Sequence, residues 1–110
     1  MKRLVFFLIM GLLLSSLSCR NPKYEITLTN ETYYAKAILT IEGKVGTVYP
    51  QSSEVVTELK KGHYHWDLEL YSTLGYGSLG SASGSIHVDE PKTLVVFFSS
   101  VLEDYAYYWE

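Results

Sequence analysis

Residues 63–70 decide the class of structure open to this chain: Tyr64, Trp66, Leu68 and Leu70 alternate without a break with His63, His65, Asp67 and Glu69. A period of two belongs to an extended strand, whose successive side chains point to opposite faces. One face apolar and the other polar is what an antiparallel sheet shows when it lies on a core and meets water on its far side. No helical stripe of useful length competes with this pattern after residue 23.

The same reading extends along the chain. Ile26 and Leu28 alternate with Glu25, Thr27 and Thr29, which predicts a strand over 24–29. Residues 34–42, rich in β-branched and aromatic types, predict a second. Glu42-Gly43-Lys44 is a turn into a short strand at 45–49, and Pro50-Gln51-Ser52-Ser53 turns the chain into a fourth at 54–59. Lys60-Lys61-Gly62 leads into 63–70. The Gly/Ser-rich stretch 75–84 reads as a flexible hairpin connection, and the last two strands are expected at 85–88 and 93–100, on either side of Asp89-Glu90-Pro91. Residues 94–98 are apolar on both faces, as in a central strand or one covered on both sides. About seven short strands with regularly spaced turns predict an all-β fold, a single small antiparallel β-sandwich over 24–110, with a barrel as the alternative. A chain of 110 residues holds one such domain.

The first twenty residues have a different character. Met1-Lys2-Arg3 is a cationic start, followed by an apolar run over 4–14 broken only by Gly11. Eleven residues are too few to span a hydrocarbon core that needs about twenty, so the run reads as the apolar region of a signal peptide. Ser16-Leu17-Ser18-Cys19 then resembles the bacterial lipobox, with its leucine one place nearer the cysteine than in the commonest form. That resemblance implies a signal peptide over 1–18, lipidation of Cys19, a tether over 19–23, and a domain anchored to a membrane of the bacterial cell envelope. Ordinary cleavage near Ser18 would instead release a soluble exported protein. Cys19 is the only cysteine, so no internal disulfide exists. Loss of Lys2 and Arg3 leaves 7 basic against 12 acidic residues, a net charge near −5. With no basic cluster beyond Lys60-Lys61, nucleic acid is disfavoured as a partner, as is attraction to anionic headgroups.

The order of Ile26-Thr27-Leu28-Thr29-Asn30, Ile41-Glu42-Gly43-Lys44-Val45-Gly46, Val48-Tyr49-Pro50 and Gly62-His63-Tyr64 resembles small exported sandwich domains of the PEGA and prealbumin-like, immunoglobulin-like type. The Pro-Glu-Gly-Ala signature is replaced by Tyr49-Pro50-Gln51-Ser52. The resemblance implies a surface-attached binding or spacer module, and fold analogy alone assigns no activity.

Candidate chemistry is sparse. His63 and His65 project from one face of their strand about 6.6 Å apart, so a metal site would need a third ligand such as His87 from elsewhere. The same residues are equally the polar face of an amphipathic strand. Gly75-Tyr76-Gly77-Ser78-Leu79-Gly80 spells a dinucleotide fingerprint, but a helix should follow it and a strand does. Tyr76 in this loop, and Tyr107, Tyr108 and Trp109 near the C-terminus, are candidate contact residues for an envelope protein or a glycan. The alternative for residues 105–109 is a final strand or cover packed on the sandwich. No serine stands in a nucleophile elbow, no catalytic residue is assigned and no cofactor is implied. The expectation is a membrane-anchored, non-enzymatic binding or assembly module, with a small-ligand or metal-binding exported protein as the alternative.

Overall fold

The computed structural model describes residues 22–75 and 77–110. The expected signal peptide at 1–18, the lipidation site Cys19, the beginning of the tether, and Tyr76 lie outside the described residues. Eight strands are present: β1 Lys23–Asn30, β2 Ala35–Ile41, β3 Lys44–Val48, β4 Ser52–Lys60, β5 Gly62–Ser72, β6 Ser78–Val88, β7 Lys92–Ser99 and β8 Asp104–Trp109. They form two four-stranded sheets in the orders β4-β1-β7-β8 and β3-β2-β5-β6, the β-sandwich that the alternation predicts.

All odd-numbered strands run one way and all even-numbered ones the other. Because β1 lies beside β7, one pair is parallel, Ile26 to Asn30 against Lys92 to Val96, within an otherwise antiparallel fold. The Glu42-Gly43 hairpin between β2 and β3 has φ of 49° and 72° at its two central residues, the left-handed pair that matches the twist of the flanking strands.

The core is made mainly of alternate residues from the four central strands, Ile26 and Leu28 of β1, Ala37, Leu39 and Ile41 of β2, Trp66, Leu68 and Leu70 of β5, and Leu94 and Val96 of β7, completed by Val48 of β3, Leu59 of β4 and Val88 of β6. Each full burial of a Leu or Ile side chain contributes about 1.5–3 kcal/mol, the main favourable term in a domain this small. Val95 is also buried on the opposite face of β7, as expected of a strand covered on both sides.

The two long sides of the sandwich differ. At the β3/β4 side the sheets approach closely, because Gly46 has no side chain: a Cβ there would lie 2.7 Å from Val56 Cγ2. At the β6/β8 side the space between them is occupied by Tyr105 and Trp109, packed on the core, and by Tyr107, which is 42% exposed but lays its ring against Trp66; these three stand opposite Phe98, Leu94 and Val96 respectively. A cleft of about 140 Å³ remains there among Leu68, Leu70, Leu79, Val96, Tyr105 and Tyr107.

One expectation is corrected. The Gly/Ser-rich stretch 75–84 is mostly strand, since β6 begins at Ser78 and pairs with β5 along its length. Gly84 has a packing reason: a Cβ there would lie 3.1 Å from Trp66 Cζ2, so the glycine makes room for the indole beneath it. Residues 104–109 form an eighth strand, the packed form of the two readings for the aromatic C-terminal segment.

Candidate functional site

The up-and-down course of the strands collects four connections at one end of the sandwich: 31–34, 49–51, 73–77 and 100–103. Lys23, where the chain enters β1, and Glu110 lie at the other end, with Glu42, Lys61, Asp89 and Glu90 in its connections. The apical connections carry most of the large apolar side chains that the fold leaves in water: Tyr33, Tyr34, Tyr49, Leu74, Val101 and Leu102 are all at least 60% exposed. A monomer typically scatters such residues singly, whereas here six are collected at one end.

The apical surface rests on a buried polar knot. Asn30, 1% exposed, donates from Nδ2 to the carbonyls of Ala35 at 2.7 Å and Val48 at 2.9 Å. Its Oδ1 accepts from the Thr32 amide at 3.0 Å and hydroxyl at 2.6 Å. Every donor and acceptor of the Asn30 amide that the burial strips of water is thereby used. Gln51 donates from Nε2 to the carbonyls of Glu31 at 2.8 Å and Thr32 at 3.1 Å, tying 49–51 to 31–34. The amide and hydroxyl of Thr73 both donate to the Tyr34 carbonyl, tying 73–77 to the same segment. Three connections are thus held together before any partner arrives, which lowers the ordering cost of binding. Their charges are one-sided: Glu31 and Glu103 are the charged residues of the four connections, and none of them holds a lysine or arginine.

The second polar feature is the outer face of the β3-β2-β5-β6 sheet. His63, His65, Asp67 and Glu69 form one row on β5, and β6 sets His87, Ser85, Ser83 and Ser81 opposite them in turn. His63 and His87 are direct cross-strand partners with ring centroids 4.4 Å apart. His65 bonds instead to Asp67 Oδ1 at 3.3 Å. Among the described residues no three His, Cys, Asp or Glu side chains converge as metal ligands, so the structure joins His87 to His63 and leaves His65 apart. Thr40, Asp67, Glu69, Ser81 and Ser83 border a shallow open depression beside this row.

Ser85, His65 and Asp67 together contain the residue types of a hydrolytic triad. The backbone N–H groups of a strand lie in the plane of the sheet, however, and do not stand above its face as oxyanion donors. His65 and Asp67 are also more than half exposed, without the dry setting that such chemistry uses.

Tyr107 and Trp109 face inward, and Trp66 meets Tyr107 edge to face at 5.3 Å. Tyr108 points outward against Phe97. Burial and the Glu110 and Glu31 charges raise its phenol above the ordinary value. The sequence reading missed Tyr33, Tyr34, Tyr49, Leu74, Val101 and Leu102, since nothing local distinguishes an apolar residue in a turn from one at the edge of a strand. Compared with protein-family models, curated proteins and solved structures, the chain finds no match in any of the three.

Proposed function

We propose that this chain is an exported, lipid-anchored and non-enzymatic binding or assembly module that captures an envelope protein with its apical connections. The observation that carries the reading is the collection of exposed Tyr33, Tyr34, Tyr49, Leu74, Val101 and Leu102 at the end remote from Lys23. A tether leading from Cys19 to Lys23 would hold the opposite end toward the membrane and turn these side chains outward. Tyrosine offers a large amphipathic contact area at low entropic cost, and a preorganised backbone adds to the affinity. The acidic Glu31 and Glu103 favour a partner whose apolar patch is rimmed by lysine or arginine.

The test is crosslinking in native membranes with wild type, Cys19→Ala and the triple variant Tyr33→Ser/Tyr49→Ser/Leu102→Ser. A stoichiometric partner recovered with wild type and lost from both variants is expected. Equal recovery with the triple variant would remove the apical site, and equal function of the unacylated protein would remove the anchor.

A further inference from the structure

We propose that His63 and His87 form a two-imidazole site for a divalent metal ion of tetragonal preference, copper(II) above all. The two residues face each other across β5 and β6, with ring centroids 4.4 Å apart and ring planes inclined by 40°. That separation has a chemical meaning. With a metal–nitrogen bond of about 2.0 Å and roughly 1.2 Å more from ring nitrogen to centroid, two imidazoles at 90° about a metal place their centroids about 4.5 Å apart, and at the tetrahedral angle about 5.2 Å apart. The observed separation is close to the right-angle value, so turning the two exposed rings about their side-chain bonds can bring one nitrogen of each to a square-planar or octahedral ion.

Three further observations support the assignment. Both rings are accessible, since His87 keeps 43% of its side chain in water and His63 is exposed. Asp89 places Oδ2 3.8 Å from His87 Nε2, where a carboxylate can orient that ring and leave its other nitrogen as donor. The backbone of both ligands is already fixed by the β5–β6 ladder, so little ordering is needed on binding. His65, two residues along and bonded to Asp67, is outside the chelate. The remaining coordination positions belong to water, which makes this an open site for capture and not a structural one. A metal held by both residues would also fasten the edge strand β6 to β5 and raise the stability of the folded state.

The experiment is titration of the full chain with copper(II), nickel(II) and zinc(II), comparing wild type with His63→Ala, His87→Ala and His65→Ala. All four proteins carry Cys19→Ser as well, because a free thiol would bind copper(II) tightly and reduce it. One equivalent of copper(II) bound through two nitrogens, read by electron paramagnetic resonance, is expected in wild type and His65→Ala. Loss of at least tenfold in affinity is expected in His63→Ala and His87→Ala, together with loss of the copper-induced rise in Tm. Equal affinity in all four proteins would overturn the site. Zinc(II) binding more tightly than nickel(II) would overturn the tetragonal assignment.

Discussion

The indole rings of Trp66 on β5 and Trp109 on β8 meet edge to face across the sandwich, with centroids 5.7 Å apart and planes at 69°. Through this contact the last strand of the chain closes the β6/β8 side of the sandwich. Both Nε1 atoms are buried and neither finds a hydrogen-bond acceptor among the described residues. Trp109→Ala is therefore expected to lower the unfolding free energy by about 2–3 kcal/mol, less than a fully buried tryptophan because the ring is only half buried. Trp109→Phe keeps a ring and removes an unpaired N–H, and is expected to cost less than about 1 kcal/mol. Urea denaturation of the two variants side by side checks both figures.

Asn30 spells the start of a glycosylation sequon with Glu31 and Thr32, yet its side chain is enclosed in the knot below the apical connections. Replacement by Ala leaves the carbonyls of Ala35 and Val48 and the amide of Thr32 without these partners. Asn30→Ala is expected to cost about 2–4 kcal/mol, since each buried group left unsatisfied costs about 1–3 kcal/mol and some recover water. Hydrogen exchange should show the amides of 31–34 and 49–51 losing protection before those of β5.

The close approach of Gly46 and Val56 gives a coupled pair. Gly46→Ala drives a methyl into the stiff Val56 side chain and is expected to destabilise by about 1–3 kcal/mol. In a Val56→Ala background the same change should cost at least about 1 kcal/mol less, because the clash has been removed. Additive effects in this double-mutant cycle would refute the contact.

Tyr71 donates its hydroxyl proton to Glu69 Oε2 at 3.0 Å. That hydrogen bond, and then the carboxylate charge and slight desolvation, raise its phenol above the ordinary value. The folded state holds this proton more tightly than the unfolded state, so the associated stability is fully present below the ordinary tyrosine value and fades as pH rises through the folded one. Glu69 is exposed and Tyr71 half-buried, the hydrogen bond lies at the surface, and the effect on stability is small. Glu69→Gln is expected to bring the Tyr71 midpoint down toward the ordinary value in an ultraviolet titration, without moving that of Tyr108.

Much of the fold is legible along the chain. The strict alternation around Trp66, the Glu42-Gly43 turn and the doubly apolar 94–98 each carry a local physical signal, and each stands in the structure as read. What determines them is side-chain period and backbone sterics, which act over neighbouring residues. The β6 strand was not legible in this way, because Ser, Gly and Ala at 78–84 have low strand preference, and Gly84 is small for a reason that lies on the neighbouring strand, in the volume of Trp66. The same holds for the parallel pairing of β1 with β7, which follows from the order of strands in space.

The candidate sites divide along the same line. By itself the sequence determined that His63 and His65 share a strand face and that residues 105–109 are aromatic enough to need cover. Only the tertiary structure decided that His87 stands opposite His63, that Tyr107 and Trp109 turn inward, and that Tyr33, Tyr49, Leu74 and Leu102 come together at one end. The physical reason is that period and propensity are properties of neighbouring residues, whereas register, sheet order and the gathering of turns at an end depend on contacts between segments far apart in the chain.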